Sequence, residues 1–387
     1  MKDFIPALKK NTMLIILVLV FLFFTIMTGG QMFADVSFQA LITQNAYVFI
    51  LASGMLMCML TGGNIDLSCG SFVCFVGVIG GILMVNQGVS VPVAMLIMLI
   101  IGCAYGCLLG YLIAYVNIPP WIATLAGYLA FRGWAVALLN NASSISPIPD
   151  SFVKLFSGQI KDIFGVPGFN VTCLIIGIIT CVVVVLLELK SRKTKIQKGY
   201  EVEKKNLMIV RCVLMVAAIL LFTFKFATSG GIPFMLIWVV VVVLIYSFIT
   251  SKTTVGRYFY TIGGNAEATR LSGVNTKKIM FLAYLNMAIL TVISSWIVCA
   301  RYKAANSTAG VNFEMDAISA CVVGGVSAYG GSGSVFGMVV GATLIGVINL
   351  GMSFMGIDAN WQKVVKGVVL LAAVVFDIIS HKDETKK

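Results

Sequence analysis

The sequence predicts an all-α polytopic membrane protein of about twelve transmembrane helices. Three observations predict it. The chain of 387 residues is 59% hydrophobic and 11% charged, whereas a soluble domain carries about a quarter charged residues, and its mean hydropathy is +1.01. Residues 11–34, 36–65, 67–131, 226–251 and 317–357 contain no Lys, Arg, Asp or Glu. A membrane helix takes roughly 20 apolar residues, so 67–131 alone holds about three passes. Stretches such as MLIILVLVFLFFTIM are continuously apolar, while barrel strands alternate in polarity over about ten residues.

Along the chain, the apolar windows place helices at roughly 11–28, 40–60, 69–86, 91–116, 121–140, 169–188, 208–225, 232–250, 279–302, 316–330, 334–355 and 362–380. The windows 40–60 and 316–330 are expected to be broken or re-entrant. The first window follows basic residues as a signal peptide would, but it is long and GGQMFADVS offers no small-residue cleavage site. It is therefore expected to be a retained span.

Basic residues fix the expected orientation. They gather at Lys2, Lys9 and Lys10; at Lys190, Arg192, Lys193, Lys195, Lys198, Lys204, Lys205 and Arg211; at Lys252, Arg257, Arg270, Lys277 and Lys278; and at Lys382, Lys386 and Lys387. With twelve spans all four segments fall on one side, the cytoplasmic side by the positive-inside rule, together with both termini. The connection 141–168 then lies outside. The net charge of +12 sits in these loops and is not a nucleic-acid signal.

Chemistry is sparse. No cysteine pair has CxxC spacing, and Cys103 and Cys107, though on one helix face, lack further zinc ligands. The cysteines are expected to be small buried hydrophobes. The single histidine, His381, lies in the tail, and no GxxxxGK[ST] phosphate loop exists. A proton-coupled carrier would place acids or histidines in several spans. No catalytic residue, metal or bound cofactor is expected, and uphill transport would draw its energy from another subunit.

Gly102, Gly106 and Gly110 recur at helical spacing, as do Gly333, Gly337 and Gly341, with Gly77 and Gly81 a shorter case. Such faces let backbones approach closely, either within one subunit or at a subunit interface or pore hinge. TGGNIDLSCGS (61–71) sets Asp66 and Ser68 near membrane depth. Asp66 caps the helix that follows or marks a functional cavity. A second glycine-rich break, VVGGVSAYGGSGS (322–334), follows Glu314 and Asp316.

The loop GRYFYTIGGNAEATRLSGVNTKK (256–278) is charged between greasy neighbours. Gly263, Gly264 and Asn265 are expected to form a turn or helix start, with Asn265 as cap. AEATRLSG then forms a short helix closed by Gly273, with Ala266 and Ala268 permitting close packing and Leu271 offering an apolar knob. A basic lipid-facing patch, a solvated loop and a docking element for a soluble partner all remain open on the residues alone.

Four passages, TGGNIDLSCGS (61–71), NIPPWIATLAGYLAFRG (117–133), GRYFYTIGGNAEATRLSGV (256–274) and FEMDAISACVVGGVSAYGGSGSVFGMVVGA (313–342), resemble in order and spacing the permease subunits of ATP-binding cassette sugar importers. The type is ribose/xylose/galactose, with multiple-monosaccharide or xylose permeases most similar. The resemblance covers nearly the whole chain and implies a single permease domain. Residues 169–225 form an inserted helix pair with a basic loop beyond a ten-helix core, and 252–278 a cytoplasmic coupling loop. Gly263, Gly264, Asn265, Ala268, Leu271, Ser272 and Gly273 would then dock in a groove of an ATPase subunit, which holds the ATP and Mg. The further partners implied are an extracytoplasmic sugar-binding protein, a second copy of the chain and membrane lipid, in a bacterial plasma membrane, with no nucleic acid. A neutral, hydroxyl-rich sugar calls for polar uncharged side chains, so Asn64, Asp66, Ser68, Asn286 and Asn349 are the substrate-path candidates. A stand-alone secondary carrier or channel is the alternative, and a scaffold or sensor subunit a third reading.

Overall fold

The computed structural model describes residues 12–140, 142–200, 202 and 205–384. Lys2, Lys9, Lys10, Lys204, Lys386 and Lys387, used above for orientation, lie outside the described residues, as do the side chains of His381 and Lys382. The chain divides into two units. The larger takes the chain up to Met32, Leu41–Ser157 and all from Met235; the smaller takes Phe33–Ala40 and Gly158–Phe234.

Every one of the predicted windows contains a helix. In order they are α1 (Thr12–Met27), α2 (Asp35–Leu60), α3 (Cys69–Gly81, extended by a π-helical turn, Ile82–Asn86), α4 (Val91–Ala114), α5 (Pro120–Leu138), α6 (Asp150–Ser157), α7 (Val171–Gln197), α8 (Lys205–Thr228), α9 (Phe234–Lys252), α10 (Thr254–Gly264), α11 (Ala266–Leu271), α12 (Thr276–Tyr302), α13 (Phe313–Val323), α14 (Val335–Phe354) and α15 (Ala359–Glu384). Among the described residues, nine helices are long and apolar enough to cross a membrane. The protein is an all-α polytopic membrane protein.

Two expectations about broken helices are resolved differently. α2 runs unbroken for 26 residues; its polar Asn45 and Ser53 satisfy themselves by donating to the carbonyls of Leu41 and Phe49 one turn back, and Gly54 makes room for Met287 and Leu290. α13 has only 11 residues, about 16 Å at 1.5 Å per residue, half the thickness of a bilayer core. It is buried except at Met315 and continues as an irregular glycine-rich strand of chain. Such backbone is tolerated at membrane depth only where protein surrounds it.

The centre of the larger unit is α2, α12 and α14. α4 packs along α12 through its glycine face: Gly102 meets Val292, Gly106 meets Ala288 and Leu285, and Gly110 meets Phe281. The α4 glycine repeat is therefore filled within the chain. The second repeat is not one helix face. Gly337 and Gly341 lie on α14 against the carbonyl oxygens of Gly324 and Ala320. Gly333 precedes the helix with φ +148° and packs on Val326. A two-residue antiparallel pair joins β1 (Ser144–Ile145) to β2 (Ala305–Asn306). Cys107 is exposed and Cys103 and Cys212 partly so; the other cysteines are buried.

The smaller unit is built on the antiparallel pair α7 and α8. Gly177 faces Thr223, and Glu188 pairs with Arg211. Asn170 caps α7 by accepting from the Cys173 amide at 3.1 Å. Asp162 pins the preceding loop by accepting from the Val166 and Thr172 amides, and Lys225 reaches Asp35 at 2.7 Å.

Candidate functional site

α9 turns into α10 through one residue, Thr253, whose hydroxyl oxygen accepts from the Gly256 amide at 3.0 Å. Gly256 allows this turn, since a Cβ there would overlap the Ile249 carbonyl. α10 buries Gly256, Phe259 and Ile262, one face of a helix, and exposes Arg257. GRYFYTIGG is thus helical through Gly264, and Gly263 and Gly264 finish α10 rather than forming a turn ahead of α11. The break is Asn265, in extended conformation (φ −159°).

Asn265 then caps α11, its side-chain oxygen accepting from the Ala268 amide at 2.9 Å. Thr269 turns inward and donates to the Asn265 carbonyl at 2.8 Å. Ser272 donates to the Ala268 carbonyl at 2.9 Å, and Gly273 closes the helix at φ +87°. Asn275 starts α12 by accepting from the Lys278 amide. Glu267 and Arg270 pair at 2.6 Å on the exposed side, and the guanidinium holds the Glu267 carboxyl below its usual range. Ala266, Ala268 and Leu271 are exposed, Leu271 by 76%.

The base of this loop is seated on both glycine-rich stretches. A Cβ on Gly263 would overlap the Leu60 carbonyl oxygen and the Gly331 backbone. Gly331 donates its amide to that same Leu60 carbonyl at 3.1 Å. Gly63 (φ +73°) sits on the Ala328 carbonyl, and Gly330 on the backbone of Gly62. The Tyr260 hydroxyl donates to the Gly333 carbonyl at 3.1 Å. The end of α2, the end of α10 and residues 327–333 therefore meet backbone to backbone at one end of the larger unit. Gly264 differs: a methyl group there would meet nothing within 4 Å.

The substrate-path candidates fall in three places. Asn64 closes the α2–α3 turn by donating to the Thr61 carbonyl at 3.1 Å. Asp66 is buried and accepts from the Ser68 amide at 2.8 Å and the Ser68 hydroxyl at 2.6 Å; Tyr105 of α4 donates to that hydroxyl oxygen at 2.7 Å. Asp66 thus caps the entry to α3, and its network extends to Tyr105. Asn286 accepts from the Tyr246 hydroxyl, between α12 and α9. Asn349 of α14 donates to Asn45 of α2 at 3.5 Å. No hydrogen bond joins these three groups among the described residues.

Other polar contacts escaped sequence reading. Asp316 of α13 pairs with Lys366 of α15 at 2.8 Å and accepts from the Tyr47 hydroxyl of α2 at 2.6 Å. Arg132 of α5 donates to the carbonyls of Ser307 and Ala309. The advance signal was a charge at the edge of an apolar run: Arg132 borders 67–131 and Asp316 borders 317–357.

Residues 37–374 match the family described as branched-chain amino acid transport system / permease component. The chain belongs to this permease family. The permease is 35% identical over 375 residues to the xylose transport system permease protein of Haemophilus influenzae, covering 97% of each chain. It is 31% identical to the xylose transport system permease protein of Escherichia coli K12, covering 96% of this chain and 92% of the relative. It is 29% identical to the ribose import permease protein of the same organism, covering 87% and 84%. No solved structure matches the permease. As a transport permease it performs no covalent chemistry on its solute.

Proposed function

We propose that the permease is the membrane subunit of an ATP-driven importer that brings a monosaccharide, xylose or a similar sugar, into a bacterial cell. Two copies form the path. A separate ATP-binding cassette subunit binds ATP and Mg, and an extracytoplasmic binding protein delivers the sugar. Closure of the paired ATPases moves α11, and alternating access follows as the permeases reorient. The termini and the α10–α11 loop face the cytoplasm.

The observation that carries this reading is the geometry of 263–273. Residues 265–272 make a short, doubly capped helix with an exposed leucine and small neighbours, and Gly263 ties its base to the turns flanking α2 and α13. A push on α11 is thereby delivered to backbone inside the larger unit. The names of the relatives support the sugar class.

The test is deletion of 265–272, with Gly264→Arg as a milder variant whose Cβ meets nothing within 4 Å. Both should insert in the membrane normally, while sugar uptake and co-purification of the ATPase are lost. Normal uptake by the deletion would sink the proposal. Solute flux in liposomes containing the permease alone would favour a stand-alone carrier.

A further inference from the structure

The connection that enters α7 is ordered by hydrogen bonds of its own, and it holds three apolar side chains outward. Asp162 accepts from the Val166 amide at 3.0 Å, the Thr172 amide at 3.1 Å and the Thr172 hydroxyl at 3.0 Å. The Ile163 amide donates to the same hydroxyl oxygen at 3.0 Å. Asn170 donates its backbone amide to the Ala227 carbonyl at 2.8 Å and its side-chain amide to the Ile160 carbonyl at 2.7 Å. Ile163, Phe164 and Val166 are nevertheless 82%, 60% and 45% exposed. Clustered exposed apolar side chains mark a contact with protein or with membrane.

The depth of this tip decides between the two. Residues 171–187 of α7 carry no charge, and Glu188 and Lys190 follow. At about 1.5 Å per residue that stretch is about 25 Å long, a little short of the roughly 30 Å hydrocarbon core of a bilayer. With Glu188 and Lys190 at one boundary of the core, the first turn of α7 stands at the other. Ile163 is bonded to Thr172 in that turn, so the tip lies at the same level. The end of α8 agrees. Lys225 in its last turn meets Asp35 at 2.7 Å, a charged pair suited to headgroup depth, and the exposed ring of Phe224 lies 6.0 Å from that of Phe169. One to two turns further along α7, Ile175, Ile178 and Ile179 are exposed, so the apolar tip leads onto a face that meets acyl chains. Lys161, exposed beside Asp162 in the chain, suits lipid phosphates. A tip whose amides at 163 and 166 are already bonded also loses less on leaving water.

We propose that residues 162–169 are a membrane-interface anchor. Ile163, Phe164 and Val166 enter the boundary between headgroups and acyl chains, in the leaflet opposite the basic α7–α8 connection, and Asp162 locks the loop in that posture. The occupant is lipid, and the anchor sets the depth of the α7–α8 pair. This inference rests on α7 and α8 as membrane spans and is independent of the sugar and of the ATPase.

The test places a genetically encoded fluorescent residue at position 164 of the full-length permease, reconstituted in liposomes. The lipids carry a bromine quencher on the acyl chain, either near the headgroup or near the chain end. Position 164 should lose most of its emission to bromine near the headgroup, and little to bromine near the chain end or to iodide in the water. Position 179, halfway along the apolar stretch, should be quenched most by bromine near the chain end. Asp162→Ala should lower the headgroup-level quenching at 164 and raise its quenching by iodide, while position 179 stays unchanged and reports normal insertion. Quenching at 164 by iodide and by neither lipid would overturn the proposal, since the tip would then stand in water. Shielding of 164 from all three quenchers would overturn it in favour of protein, a second copy or a binding protein, covering the tip. Unchanged quenching at 164 with Asp162→Ala would overturn the lock assigned to that carboxylate.

Discussion

The glycine-seated core of the larger unit and the α7–α8 pair of the smaller unit are both built of apolar helices, and they use that apolarity in opposite ways. In the most apolar windows of α2 and α14, 78% and 72% of residues are buried; in those of α7 and α8 the shares are 22% and 11%. The core hides its polar groups: Asp66 with Ser68, Asp316 with Lys366 and Tyr47, Asn286 with Tyr246. The pair hides almost nothing and gathers most of its charge at the end that carries the basic connection, with Lys225 at the other. Hydropathy alone does not separate a buried helix from an exposed one: the windows of α5 and α7 are each 22% buried, at mean hydropathies of 1.3 and 2.8.

The largest effect should come from breaking the buried ion pair of the core. Lys366→Met leaves Asp316 without its countercharge and should cost about 3–5 kcal/mol, read as a lower thermal unfolding midpoint in detergent. Adding Asp316→Asn should recover most of the loss, and an unchanged midpoint in the single variant would remove the contrast between the regions.

The two regions can then be compared leucine for leucine. Leu56 is fully buried, so Leu56→Ala should cost about 2–5 kcal/mol through lost packing. Leu186 is exposed, so Leu186→Ala should stay within about 0.5 kcal/mol. Equal costs would mean that the α7–α8 face is covered by protein rather than lipid.

At the seat, Gly263→Val should cost about 1–3 kcal/mol by overpacking and abolish uptake, while Gly264→Ala should do neither. Uptake at the native rate with Gly263→Val would detach the loop from the core. The smallest effect is that of Tyr105→Phe, which removes one hydrogen bond to Ser68 and should cost about 1 kcal/mol, measured in the same unfolding assay.

The sequence made the helices legible because membrane spans announce themselves as charge-free runs. It also made α11 legible, because Asn265 and Gly273 are local signals whose hydrogen bonds close within one turn. α10 was not legible: its buried face is Gly256, Phe259 and Ile262, and a glycine followed by two adjacent glycines mimics a turn. The continuity of α2 was masked by Asn45, Ser53 and Gly54, whose polarity and size are explained only by their neighbours. The Asp316–Lys366 pair joins residues far apart in sequence, and neither charge on its own points to the other. The seat itself is built from backbone contacts, so its only trace was the glycines, which cannot say what approaches them. Gly333 shows the converse hazard, since its spacing matched a helix face that it does not join.

The most direct test of the central claim, that 265–272 is the permease's contact with its energy source, is photo-crosslinking from position 271 in native membranes. A photoreactive residue replacing Leu271 should capture an ATP-binding subunit, and the same residue at position 186 should capture lipid alone. Capture of lipid alone at position 271, with sugar uptake intact, would contradict the claim.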